Sequence, residues 1–221
     1  MINITPQPSN QISFQSIKPT IRIGEQAIKE FSEEFGSVKS STMTMIKILH
    51  AKGLPNAGAL VPKIQRRAWE QYSDLCHIRT NLYVNSFDGY IKTLIPLIKK
   101  YQVANCGEMA FITQHKLLNR GIKMNVIRLL IKNKKDRTNI KRLVYDHAFL
   151  AANIAKGAPH DKPERWGSKA VIFDPWLRKS AAAHEMMEYY ERFFKIDEAN
   201  EHMIFENCDK FDVDRYLKNR Y

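Results

Sequence analysis

Between Cys106 and Leu118 the chain carries Met109, Ala110, Phe111, Ile112, Leu117 and Leu118. At 3.6 residues per turn these side chains cover most of the circumference of a helix. A helix that is apolar on nearly every side cannot lie on a surface, so other elements must pack around it. Gly121 is its stop signal, because glycine takes the left-handed conformation after a last turn without steric cost. The preceding Tyr101-Gln102-Val103-Ala104-Asn105 reads as a loop that feeds Cys106 into the first turn. The positive end of a helix dipole favours thiolate over thiol, so a cysteine placed there is a candidate nucleophile. Taken alone, a buried cysteine is more often a small core hydrophobe. A catalytic thiolate needs a base, and the base needs an orienting group.

The chain before this helix is mostly helical in pattern. Residues Met1 to Ile21 are polar, contain Pro6, Pro8 and Pro19, and read as a mobile tail. Ala27, Ile28, Phe31 and Phe35 predict a short amphipathic helix over Glu25 to Phe35. Ser40 or Ser41 is placed to cap another, with Met43, Met45, Ile46, Ile48 and Leu49 inside and Gly53 beyond its end. Leu54 to Leu60 reads as a loop. From Pro62, which suits a first helical turn, Ile64, Ala68, Tyr72 and Leu75 recur at helical steps. Asp88-Gly89 reads as a break, followed by a helix over Tyr90 to Tyr101 that Pro96 bends or shortens.

After Gly121 the period changes to two. Ile122, Met124, Val126 and Leu130 predict a central strand, with apolar residues on both sides of it. Lys132 to Arg142 reads as the solvated tip of a β-hairpin. Leu143 to Asn153 is the returning strand and carries His147. A Gly- and Pro-rich loop leads to a third strand, Lys169 to Asp174, closed by Pro175. Ser180 to Phe194 and Asp212 to Asn219 read as helices. The pattern is α+β: a mobile tail over 1–21 and a single catalytic domain over 22–221. That domain has a mainly helical part over 22–101 and a core over 102–221, in which an antiparallel sheet packs on the nucleophile helix.

The three cysteines, Cys76, Cys106 and Cys208, are odd in number and widely spaced, which is no disulfide framework. They point to a soluble protein in a reducing compartment such as the cytoplasm. No apolar run reaches the length of about eighteen residues that a membrane span needs. The N-terminus lacks the charged head and apolar block of a secretory signal. No metal-ligand spacing and no Gly-rich phosphate loop is present, so neither metal nor cofactor is expected. A formal charge of +12 favours acidic partners. The run containing Lys132, Lys134, Lys135 and Arg137 is a candidate docking site for an acidic protein substrate.

Three motifs stand in order: Asn105-Cys106-Gly107-Glu108 with Ala110, Asp146-His147-Ala148-Phe149, and Asp174-Pro175-Trp176. In that order a thiolate at Cys106 attacks an amide carbon, His147 protonates the leaving group, and the Asp174 carboxylate holds the other ring nitrogen. Asp146 alternates to the opposite strand face from His147, which makes it the poorer orienter. The backbone N–H of Cys106 and the side chains of Gln102 and Asn105 are candidate oxyanion donors. Glu108, in the first helical turn, reads as a dipole partner or a structural hydrogen bond rather than an acid. Trp176 is placed to line the cleft and shield Asp174 from water. The competing readings are a core histidine and a capping aspartate.

Together these residues resemble the transglutaminase-like core, within the wider papain-like superfamily, over roughly Asn105 to Trp176. In that family the pattern is a Cys-Gly-Glu helix start, an Asp-His-aromatic strand and an Asp-Pro strand end. The resemblance implies a papain-like fold, a Cys106–His147–Asp174 triad and a thioester intermediate. It implies glutamine deamidation or transamidation of a host or partner protein, with proteolysis as the alternative. Small basic secreted bacterial effectors share the same order of residues, which implies delivery into a host cell and leaves the N-terminal tail as a candidate secretion address. The chain lacks the large flanking domains and evident calcium site of animal transglutaminases. The reading from another class is a basic binding module, for nucleic acid or an anionic surface, without catalysis.

Overall fold

The computed structural model describes residues 17–40, 57–80, 86–134 and 143–208. Among these, five α-helices accompany one antiparallel sheet, a mixed α and β architecture. The helices are α1 (Lys18–Phe35), α2 (Ala57–Thr80), α3 (Phe87–Tyr101), α4 (Cys106–Leu118) and α5 (Ala183–Phe194). The strands are β1 (Asn125–Asn133), β2 (Leu143–Ala152), β3 (Val171–Asp174), β4 (Lys179–Ala182) and β5 (Glu201–Asn207), in the sheet order β4-β3-β2-β1-β5.

The apolar circumference of α4 has the expected consequence. Its residues from Met109 to Gln114, with Leu117 and Leu118, are all buried, and it packs on α1, α3, β2 and β1. After it, Gly121 takes φ +74°, and its N–H bonds the Leu118 carbonyl at 2.9 Å. The middle strand is β2. Its register sets Leu129 opposite His147 across β1 and Leu150 opposite Phe173 across β3. Side chains alternate faces along a strand, so His147 and Phe149 share a face with Ile172 and Asp174, while Phe173 points the other way.

Helix α1 packs on that other face. Its Ile21 carbonyl accepts from the Ser180 hydroxyl at 3.0 Å. A Cβ built on Gly24 would lie 2.4 Å from the Phe173 ring and 2.5 Å from Ser180 Oγ, so glycine lets the helix backbone sit on the sheet. Glu30 and Glu34 of α1 pair with Arg120 and Lys116 at the far end of α4. Helix α5 covers the His147 face through Ala183, Met186, Tyr190 and Phe194, whose spacing is that of one helical stripe.

Several boundaries differ from the sequence pattern. Helix α1 begins at Lys18, inside the stretch expected to be tail, because Pro19 fits a first turn. Helix α2 begins at Ala57 within the expected loop, so Pro62 is internal to it. Asp88-Gly89 does not break the chain. Ser86 caps α3, its hydroxyl accepting from Gly89 N–H at 3.0 Å, and Pro96 sits inside the helix without ending it. The expected helix from Ser180 starts instead at Ala183. Residues 179–182 form β4, because they can pair with β3 before the chain turns. Strand β5 has no clear period and is held by its ladder to β1. The expected helices over Met43–Leu49 and Asp212–Asn219, and most of the tail, lie outside the described residues. So does the hairpin tip from Lys135 to Arg142.

The close approach at Gly24 gives a direct prediction. Gly24→Ala raises helix propensity by about 1 kcal/mol, yet it should destabilise the protein by roughly 1–3 kcal/mol through overpacking on Phe173. Thermal melting checks this; an unchanged or higher melting temperature would contradict the packing of α1 on the sheet.

Candidate active site

Three local structures bring the candidate residues together. Cys106 opens α4, behind the N-cap Asn105. The Asn105 N–H bonds Glu108 Oε2 at 3.1 Å in a capping box. Glu108 is buried, and its Oε1 accepts from Arg79 of α2 at 2.9 Å. It is thus a structural clamp on the helix start. Cys106 is buried, with Sγ 4.0 Å from the Asp146 carbonyl oxygen.

His147 comes from the middle strand. Its Nε2 lies 2.6 Å from Asp174 Oδ2, and both side chains are fully enclosed. Asp174 ends β3, where Pro175 opens the turn into β4. Its Oδ1 accepts from the backbone N–H groups of Trp176, at 3.1 Å, and Leu177, at 2.9 Å. Its Oδ2 also accepts from the Tyr190 hydroxyl at 2.8 Å. Four donors therefore serve one buried carboxylate, which is what such a group requires away from water.

Burial works against a charged imidazole, but the adjacent Asp174 carboxylate overcomes it and Cys106 adds to it; the His147 pKa is pushed up to about 10. The ring is an imidazolium at neutral pH. With Nε2 taken by Asp174, Nδ1 is the ring nitrogen left for the thiol, and among the described residues it has no other hydrogen-bond partner. Aromatic rings close around the imidazole: Trp176 at 4.8 Å, Tyr190 at 5.6 Å, Phe194 at 5.7 Å and Phe149 at 6.2 Å between centroids. Burial and the Asp174 carboxylate push the Tyr190 phenol well above its ordinary range, so it serves as a neutral donor.

The other candidates fall into two groups. Trp176 is buried against His147 and lines a cavity of about 760 Å³, with Ser40, Val103, Met109, Arg67 and Arg178 among its walls. Asn105 is buried beside Cys106, and its Oδ1 accepts from the Ser40 hydroxyl at 2.8 Å. Gln102 is not brought to the thiol. It caps α3 in the left-handed region (φ 54°), and its exposed amide donates to the Lys99 carbonyl at 2.8 Å. Asp146 carries its carboxylate to Arg128, at 2.8 and 2.7 Å, on the exposed face away from His147. Lys132 lies in the β1–β5 ladder and Lys134 bonds the Glu198 carbonyl, while Lys135 and Arg137 lie outside the described residues.

Three contributors had no local sequence signal: Tyr190, Ser40 and Arg79. Each reaches the site from a distant element, and Tyr190 reads simply as part of an apolar helix stripe. Among the described residues, no group of histidine, cysteine and acidic side chains could hold a metal ion, and no helix is long and apolar enough to cross a membrane. No protein-family model, curated protein or solved structure matches the chain.

The raised pKa of His147 has a definite consequence for stability. Its contribution is fully present below the unfolded value of about 6.5 and is lost as pH rises through about 10. The difference in unfolding free energy between the wild type and His147→Gln should therefore shrink across that window. Urea denaturation at several pH values measures it, and a difference independent of pH would contradict a buried imidazolium.

Proposed function

We propose that the chain is a cysteine-nucleophile enzyme with a papain-like, transglutaminase-like core, acting on a carboxamide or peptide bond of a protein substrate. The observation that carries this reading is the buried His147–Asp174 pair. Among the described residues it leaves one imidazole nitrogen to a cysteine at a helix start.

In the proposed reaction Cys106 Sγ attacks the carbonyl carbon and the C=O electron pair moves onto oxygen. The backbone N–H of Cys106 is the candidate donor for that oxyanion, with the Asn105 side chain beside it. As the tetrahedral intermediate collapses, the C–N bond breaks. His147 passes its proton to the departing ammonia or amine, leaving a thioester on Cys106. The neutral ring then takes a proton from water or from an acceptor amine, which attacks the thioester and regenerates the thiolate. Asp174 holds Nε2 throughout and keeps Nδ1 aimed at the sulfur. The cavity beside Trp176 is the proposed seat of the substrate chain.

Glutamine-directed chemistry is the preferred form, on the Asp-His and Asp-Pro contexts. The acylation step is common to all three outcomes. Incubation with a glutamine-rich acceptor protein, with and without a primary amine, followed by intact-mass spectrometry, separates them. A gain of about one dalton per site means deamidation, an amine adduct means transamidation, and fragments mean proteolysis.

Turnover by Cys106→Ala should be lost completely, and by His147→Ala reduced about a thousandfold or more, with the combined variant no worse than Cys106→Ala alone. Asp174→Ala should be milder, because that carboxylate orients the base and does not itself react. Undiminished turnover by folded Cys106→Ala would sink the mechanism. Salt-sensitive nucleic-acid binding that is indifferent to Cys106 would favour a basic binding module instead.

A further inference from the structure

Ser40 is remote in sequence from every residue of the candidate triad, yet its hydroxyl stands between two of their supports. It accepts from Trp176 Nε1 at 2.8 Å and donates to Asn105 Oδ1 at 2.8 Å. The direction of this relay is unambiguous. An indole N–H only donates, so the single hydroxyl proton goes to the amide oxygen. Ser40 is buried, so water does not compete for either bond.

Its place is fixed by backbone as well. Lys39 N–H donates to the Gln102 carbonyl, and Ala104 N–H donates to the Lys39 carbonyl, each at 2.9 Å. This one-residue parallel bridge lays the segment after α1 along the loop that delivers Cys106. The far end of the relay is the Trp176 indole, which lies 4.8 Å from the His147 ring and on the wall of the 760 Å³ cavity.

We propose that Ser40 is a positioning residue, which locks the Trp176 indole over the His147–Asp174 pair and ties that cover to the start of the nucleophile helix. The reason is mechanical. Trp176 follows Asp174 in a tight turn, and its ring is the part of the aromatic shell around His147 that faces the cavity. Without an acceptor for its N–H, the indole has no cause to stay in this pose, since a buried donor left unpaired is costly. Water then reaches the pair from the cavity. It relieves the burial that disfavours the charged ring and weakens the attraction of Asp174 for it, so the protonation of the ring changes.

The groups facing His147 are Asp174 of β3, Tyr190 of α5 and Cys106 of α4; Tyr189 acts on Asp174, and Arg79 on Cys106. Ser40→Ala removes none of them, so a change in His147 titration would report the cover and its tie to the helix start. The relay stands whether or not Cys106 turns over a carboxamide, because its readout is the protonation of a ring and not activity.

The test is NMR titration of histidine-labelled protein, with the His147 resonance assigned by its loss in His147→Gln. In the wild type a midpoint of about 10 is expected for His147. Ser40→Ala should move that midpoint by about one pH unit, a tenfold change in the proton equilibrium. Trp176→Phe, which cuts the same relay from the other end, should move it in the same direction. The double variant should add nothing further, the mark of a shared interaction. Ser40→Thr, which keeps the hydroxyl, should titrate as the wild type does. An unchanged midpoint in Ser40→Ala, or shifts that simply add in the double variant, would overturn the proposal. If Ser40→Ala fails to fold, Trp176→Phe decides alone, and an unmoved midpoint there overturns it.

Discussion

A carboxylate and an imidazole, both shut away from water and 2.6 Å apart, set the terms for the rest of this molecule. Neither group can be buried alone with its charge intact, and even as a pair they remain expensive unless every spare lone pair and proton is satisfied. Asp174 meets that demand through the turn N–H groups of Trp176 and Leu177 and the hydroxyl of Tyr190. His147 meets it only on one side. Apart from the Cys106 thiol, its Nδ1 has no partner among the described residues, and such gaps belong where a reacting group is expected.

The surrounding elements are arranged to hold that pair beside Cys106. Strand β2 lies in the middle of the sheet; its His147 sits opposite Leu129 of β1, and β3 ends beside it at Asp174. The β3–β4 turn supplies two of the four donors to Asp174. Helix α5 supplies the third and two of the aromatic rings. Glu108 and Arg79 clamp the start of α4, so the helix end that presents Cys106 is held by charge-assisted contacts to a buried carboxylate. Each device is local, but all converge on one small volume next to the cavity beside Trp176.

Helix α4 was legible because its all-round apolarity and its Gly121 stop are short-range signals. The strand carrying His147 was legible from its alternation, which also assigned Asp146 correctly to the outer face. Asp174 was marked by the proline that ends its strand. Tyr190, Ser40 and Arg79 were not legible, since their roles exist only once distant segments meet; Ser40 and Trp176 are 136 residues apart. Strands β4 and β5 were missed for the same reason. Both are held by ladders to neighbours rather than by a pattern of their own. Gln102 illustrates the converse: its spacing from Cys106 suggested a donor, but the left-handed cap it forms on α3 sends its amide to Lys99.

The central claim is that Cys106 is set apart from the other thiols by the imidazolium next to it. Cys76 and Cys208 are the internal controls, both more exposed than Cys106. Labelling with limiting iodoacetamide at neutral pH, followed by peptide mapping, compares all three in one sample. The account predicts that Cys106 is carboxamidomethylated first despite its burial, and that His147→Ala abolishes this preference. Labelling in simple order of exposure, with Cys106 last and His147→Ala without effect, would contradict it.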